Sequence, residues 1–465
     1  MRKAQIASLT AASLLVAGGY YGLADALDLV PGPVTAAPMD IAAQPYPTIS
    51  APDAAVAQAS GLDPQAPIPS SAALSAMVSE LAADKALEGG SVSASIIDVA
   101  TGQELVNHSG TTGVTPASSN KLLVAQASLS LLGADHTLTT STVLEGQNLT
   151  LVGGGDVLLA EDAGDPTATA GRAGLGDLAR LSAQALKDKG VTSVSVRLDD
   201  TLFTGPTWND GWEAGNESWV AKIQPIMVDV SVHHNHGTYP EDPALEAAQV
   251  FREHLAAEGI TVSGDITRAA APDSAAELAS VHSAPLEDIL ALSLKTSDNT
   301  ITEVEGRLVA VAAGQSADFQ GAARAVLDQL GKDGLDTTGV TLLDSSGLAK
   351  GNKVPSRLLA QILARAAGPD GGTSGRALIS ALPVGALDGT LHDRFHGSDA
   401  AGTVRAKTGT LEQSVSLSGV VTTADGRLLA FAVLLDGFPA ENAGSAKLVL
   451  DNLLITPLAA CGCQG

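Results

Sequence analysis

The spacing of apolar positions changes repeatedly along the chain. The pattern predicts a helix from Ser71 to about Ala86. GSVSASIIDVATGQELVNHSG (90–110) then alternates like two strands joined at Thr101-Gly102. A helix opening at Thr115-Pro116 is expected to reach about Leu132, since threonine caps well and proline suits a first helical turn. In the middle, strand-like pieces at 136–155 and 191–200 mix with helical patterns at 173–189 and 243–258. Helical segments resume over 285–296, 299–313 and 317–332. A strand near 339–344 precedes helices around 355–366 and 373–381. The end reads as strands 402–407, 414–423 and 427–435, followed by a helix from about 441 to 454. No internal repeat is evident. Strands at both ends around a helical cluster predict an α/β (α+β) fold, with one domain formed by 70–140 and 282–465. Residues 141–281 are then an inserted mixed α/β region.

The start of the chain has another texture. Met1-Arg2-Lys3, an apolar run from Ile6 to Leu23 and Ala24-Asp25-Ala26 fit a secretory signal peptide, and the run is nearly long enough for an uncleaved membrane anchor. Residues 1–30 are assigned to that export segment. Residues 31–69, rich in Pro and Ala and without periodicity, are read as a linker. The formal charge of −25 over 465 residues argues against a nucleic-acid partner, because binding phosphates needs clustered cations. The two cysteines, Cys461 and Cys463, close almost no loop if they pair, so the alternatives are a strained disulfide of little folding value or a frayed tail.

Candidate chemistry comes from three short stretches. In TPASSNKLLVAQ (115–126), helical spacing places Lys121 over Ser118 and turns Ser119 away. A serine hydroxyl becomes a nucleophile when a base takes its proton, and a lysine is such a base once burial or nearby cations lower its pKa. Ser297-Asp298-Asn299 sits between two helical patterns, where it either caps a helix or presents a hydroxyl and a carboxamide to a cleft. Lys407-Thr408-Gly409-Thr410 lies on or beside a strand, and Gly409 permits a ligand to approach the backbone closely.

Together, S-x-x-K, S-x-N and K-T-G in this order resemble the active-serine set of penicillin-recognising enzymes. More narrowly, PAS-x-x-K-L, LVGGGD (151–156), SDN, DSSGL (344–348), LPVGALDGTL (382–391) and AKTGTL resemble the D-alanyl-D-alanine carboxypeptidase/endopeptidase family of low-molecular-mass penicillin-binding proteins. The resemblance covers about residues 72 to 460, and 178 residues separate Ser118 from Ser297. It implies a penicillin-binding/β-lactamase-like transpeptidase domain with an acyl-enzyme on Ser118 and Lys121 as general base. Ser297 would relay a proton to the leaving D-alanine, and Asn299 would hold the substrate amide. Lys407 would supply positive field and Thr408 would bond the terminal carboxylate. The N–H groups of Ser118 and Thr410 would form the oxyanion hole, and Gly409 would let the substrate approach the strand backbone closely.

The implied partners are peptidoglycan stem peptides and, as covalent inhibitors, β-lactams. No cofactor or metal is implied, and the location would be extracytoplasmic, secreted or membrane-anchored. Lys350 stands where the family commonly has an arginine able to bind a stem-peptide carboxylate. Lysine keeps the charge and loses the bidentate fork. PTWNDGWEAGNESW (206–219) is a candidate wall for the substrate's side chain, with Asp210 positioned to meet an ammonium group. HHNHG (233–237) is read as structural or surface histidines. The alternatives are a β-lactamase or esterase of the same fold and a non-catalytic peptidoglycan-binding relative.

Overall fold

The computed structural model describes residues 16–21, 65–233, 238–272 and 274–461. The chain divides into two units, Met1–Gly61 and Leu62–Gly465. In the first, residues 16–21 are helical and exposed. No helix among the described residues is long and apolar enough to cross a membrane. The rest of the expected export segment and linker, up to residue 64, lies outside the described residues. Within the second unit, Ala66 is already buried, and its carbonyl accepts from Arg427, so packed chain begins before the expected end of the linker.

The main sheet joins the two ends of this unit. Its order is β8 (Val404–Leu411), β9 (Ser414–Thr422), β10 (Leu428–Asp436), β1 (Ser91–Asp98) and β2 (Glu104–His108), with every neighbouring pair antiparallel. LLAFAVLLD in β10 is nearly continuously apolar because both faces are covered. Phe431, Val433 and Leu435 meet Leu74, Val78 and Leu81 of helix α1 (Ser71–Ala82). Ala430, Ala432 and Leu434 face a second core that includes α2 (Lys121–Leu131) and, nearer the C-terminus, residues 356–367. Each large apolar side chain so buried contributes about 1.5–3 kcal/mol.

A second sheet occupies the middle of the sequence. It is built on β3 (Thr139–Glu145), β4 (Asn148–Val152), β5 (Ser193–Asp199), β6 (Thr267–Arg268) and β7 (Glu277–His282), in the order β6-β5-β4-β3-β7. α3 (Leu175–Asp188) and α4 (Pro243–Ala257) pack on it around Phe251 and Leu178. β3 and β7 are antiparallel neighbours, so the chain enters and leaves this sheet at one place. Between the two sheets in sequence come α5 (Leu286–Thr296), α6 (Asn299–Ala312) and α7 (Phe319–Lys332), then α8 (Ser356–Ala367) and α9 (Gly372–Ser380).

Several expected boundaries move. The 71–86 helix stops at Ala82, and a separate 3-10 turn follows at Lys85–Leu87. No strand forms over 339–344. Thr341 makes a single bridge to Lys353, and Asp344 turns the chain into a loop by accepting from Gly347 and Ala349 N–H groups. The strand expected at 402–407 runs instead from Val404 to Leu411, which places the whole KTGT stretch on its length. The last helix is interrupted: α10 (Ala443–Leu450) passes through a π turn, Asp451–Ile455, before a final helical turn.

Candidate active site

The stretch around Ser118 is not α-helical from its start. Ala117–Asn120 forms a 3-10 turn that runs into α2 at Lys121. Thr115 does not cap it: its hydroxyl bonds the Asp436 carboxylate at 3.1 Å. Residues three apart eclipse on a 3-10 turn, so the Ser118–Lys121 pairing holds in this geometry too. Lys121 Nζ donates to Ser118 Oγ at 3.1 Å, to Asn299 Oδ1 at 2.7 Å and to the Ser346 carbonyl at 2.8 Å. Ser119 points to the sheet, with its hydroxyl 2.8 Å from that of Ser416. Ala117, just ahead of the nucleophile candidate, has φ 47°, a left-handed conformation that costs a non-glycine residue on the order of 1 kcal/mol or more.

The SDN stretch is a helix junction. Ser297 ends α5 in the left-handed region, and Asp298 caps α6 by accepting from Ile301 N–H at 2.9 Å. This turn presents Ser297 to β8, where Lys407 Nζ donates to its hydroxyl at 2.9 Å. Asn299 opens α6, and its amide nitrogen donates to the Trp219 carbonyl at 3.0 Å. Thr408 donates to the hydroxyl of Thr390 at 2.8 Å, so the DGTL segment is the lateral support of the KTG strand.

Gly409 is where β8 crosses the turn that carries Ser118. A Cβ there would lie 2.9 Å from both Ser118 N and Pro116 O, and 2.2 Å from Ser416 Oγ. The bare backbone therefore brings Thr410 alongside Ser118, and β8 is the edge strand of its sheet.

Both lysines are fully buried. Burial pulls Lys121 down to about 8, while the carboxylates of Asp344, Glu303, Asp298 and Glu305 oppose the fall. Of the two causes expected, burial and nearby cations, burial is the one that lowers Lys121. Lys407 is held well below its ordinary value by burial and then by Lys121. Ser118 can thus lose a proton to a partly neutral amine, and Ser297 can pass one on beside the Lys407 amine.

The cleft over these groups has a volume of about 610 Å³ and reaches from Ser118, Ser297 and Thr408 to Lys350, Glu213 and Glu412. Two sequence expectations change here. Asp210 is exposed and lines a separate depression with Phe319 and Leu343; the same loop instead turns Glu213 and the half-exposed Trp219 into the cleft. Lys350 is not an uncommitted cation. Its Nζ sits 2.8 Å from Glu213 and 2.9 Å from Glu412, whose hydrogen bonds raise its pKa.

The 206–219 stretch does line the cleft, but sequence reasoning chose Asp210 there over Glu213 and Trp219, and it missed Glu412, because nothing in their spacing singles them out. Of HHNHG, only His233 is described, and no cluster able to hold a metal ion occurs among the described residues. Cys461 is buried and disulfide-bonded, whereas Cys463 lies outside the described residues.

Comparison with known proteins gives a consistent picture. The model of the D-Ala-D-Ala carboxypeptidase 3 (S13) family matches residues 74–241 and 235–454. A carboxypeptidase of Mycobacterium tuberculosis is 36% identical over 409 residues, covering 85% of each chain. A D-alanyl-D-alanine carboxypeptidase of an Actinomadura species is 30% identical, covering 81% of this chain and 82% of its own. The crystal structure of penicillin-binding protein 4 from Haemophilus influenzae superposes with a TM-score of 0.65 at 21% identity. That match covers 81% of this chain and 99% of the other, and it bears on the fold alone.

Proposed function

Because the chain belongs to the D-Ala-D-Ala carboxypeptidase 3 (S13) family, we propose that it cuts the terminal D-Ala-D-Ala bond through an acyl-enzyme on Ser118. The observation that carries the residue assignment is the buried Lys121 amine, 3.1 Å from Ser118 Oγ and pulled down to about 8 by burial. Neutral Lys121 takes the Ser118 proton as Oγ adds to the scissile carbonyl. The N–H groups of Ser118 and Thr410 receive the oxyanion. Ser297, hydrogen-bonded to Lys407, hands its proton to the departing amine of D-alanine and regains one from protonated Lys121, which leaves Lys121 neutral again. Water then adds to the ester with Lys121 again as base, releasing the shortened peptide and restoring Ser118.

Asn299 steadies Lys121 through Oδ1, and one N–H of its amide remains for the substrate. The natural substrate is a peptidoglycan stem peptide, met outside the cytoplasmic membrane by a secreted or anchored enzyme. Cleavage of cross-links uses the same steps. β-Lactams acylate the same serine.

Mass spectrometry after penicillin treatment separates the two adjacent serines. Ser118→Ala should carry no adduct and release no D-alanine. Ser119→Ala should still be acylated, at Ser118, with a stability loss of about 1 kcal/mol from the missing bond to Ser416. An adduct on any residue other than Ser118 in the wild type would overturn the mechanism.

The far wall of the cleft bears on side-chain preference. Glu412 lies two residues beyond Thr410, in the turn that follows β8. A peptide added along β8 therefore brings the side chain preceding its D-Ala pair towards Lys350 and its two glutamates. One cation between two carboxylates leaves net negative charge, which favours a side chain ending in an ammonium group over one ending in a carboxylate. The double variant Glu213→Gln/Glu412→Gln should lower kcat/KM for a lysine-containing peptide about fivefold relative to a carboxylate-ended one. An unchanged ratio would remove this wall from the account of specificity.

A further inference from the structure

One buried carboxylate close to the base has no part in the steps above. Glu303 lies one helical turn after Asn299 on α6, so the two share a face. Asn299 meets Lys121 directly. Glu303 meets the loop beneath it: its carboxylate accepts from Ser345 N–H, 3.1 Å from each oxygen, and from Ser346 N–H at 2.8 Å. The carbonyl of Ser346 is the acceptor 2.8 Å from Lys121 Nζ.

The same loop is held from the other side by Asn120, which donates to the carbonyls of Asp344 and Ser345. Gly306, further along α6, lets helix and loop touch, since a Cβ there would lie 2.0 Å from Ser345 Oγ. We propose that Glu303 is a positioning residue for the general base. It acts through the Ser345–Ser346 backbone to aim the Ser346 carbonyl at Lys121 Nζ, and it supplies negative charge against which the amine titrates.

The charges around Lys121 make this separable from simple structural support. Asp298, Glu305 and Asp344 face the amine together with Glu303, and the buried Lys407 amine is its basic neighbour. Burial raises Glu305 to about 8, so it is mostly uncharged at neutral pH. Glu303 is raised to about 7 by burial and then by Asp344, with the Ser345 and Ser346 bonds opposing; Arg307 is a further charge acting with it. Near pH 8 Glu303 is therefore largely ionised, and its removal weakens the protonated form of Lys121.

The test is the acylation rate with a fluorescent penicillin across pH 5 to 10, together with kcat and KM for D-alanine release, in the full chain. Glu303→Gln removes the charge and sets an amide N–H against loop N–H donors. It should lower the plateau rate about tenfold or more with little change in KM, and move the acid limb to lower pH. Glu303→Asp keeps the charge while withdrawing it by one methylene. It should leave the acid limb in place, lower the plateau by a smaller factor, and remain informative if the glutamine variant does not fold. A plateau loss in Glu303→Gln with an unmoved acid limb, or a wild-type plateau in Glu303→Asp, would overturn the proposal.

Discussion

Lys121→Met is expected to cut Ser118 acylation by about 10³ while leaving the fold intact. Methionine matches the length of the lysine stem and fills the same buried volume, but no base is left at 3.1 Å from Ser118 Oγ. In the wild type, acylation should rise with pH and level off above about 8, as the amine loses its proton. The variant should show no such limb.

Stability gives a second reading of the same group. The folded pKa of Lys121 is lowered from 10.5 to about 8, so between those values the unfolded chain binds more protons than the folded one. Wild-type stability relative to the methionine variant must then rise with pH across that window. The full difference, on the order of 3 kcal/mol, stands against the wild type below about pH 8 and is gone above about pH 10.5. Urea unfolding of both proteins at pH 7 and at pH 10 measures it. A pH-independent difference would mean that Lys121 is not buried as a perturbed amine.

Gly409→Ala should be nearly as damaging, although it adds a single methyl group. That carbon would lie 2.9 Å from Ser118 N and Pro116 O, so the edge strand must move away from the nucleophile turn. The N–H groups of Ser118 and Thr410 then no longer converge on one oxyanion, a loss of about 10²–10³ in turnover and in penicillin acylation. The third contact, Ser416 Oγ at 2.2 Å, belongs to a side chain and can be deleted. Gly409→Ala/Ser416→Ala should therefore remain slow, because both backbone contacts persist. Recovery of more than half the wild-type rate in the double variant would show that only the hydroxyl was in the way.

What the sequence disclosed depended on whether a local period controlled the outcome. The Ser118–Lys121 pairing was legible because residues three apart meet in an α-helix and also in the 3-10 turn that is present. The central β10 was legible as a run of apolar residues too short for a helix. Residues 339–344 misled because VTLL has strand composition, whereas its course is set by Asp344 and Asn352, which bind backbone groups around it. In PTWNDGWEAGNESW every carboxylate is an equal candidate by composition. A turn with Gly215 at φ 95° sends Glu213 into the cleft and leaves Asp210 outside. Glu303 carried a signal, its four-residue offset from Asn299, that gains meaning only once the loop beneath α6 is known.

The main sheet has a consequence in time. β1 finds its inner neighbour β10 more than 300 positions later, and β8, which carries the KTG groups, is translated long after Ser118. A chain still lacking residues 404–436 has no β8 or β9 against which to seat the 3-10 turn, no Lys407 and no Thr410 beside Ser118. The sheet of β3 to β7 can close on itself earlier, yet the turn that carries Ser118 has no β8 or β9 to rest on until the last strands arrive. Such long-range closure is slow to reach. It would also keep the proposed nucleophile inert for as long as the polypeptide is incomplete.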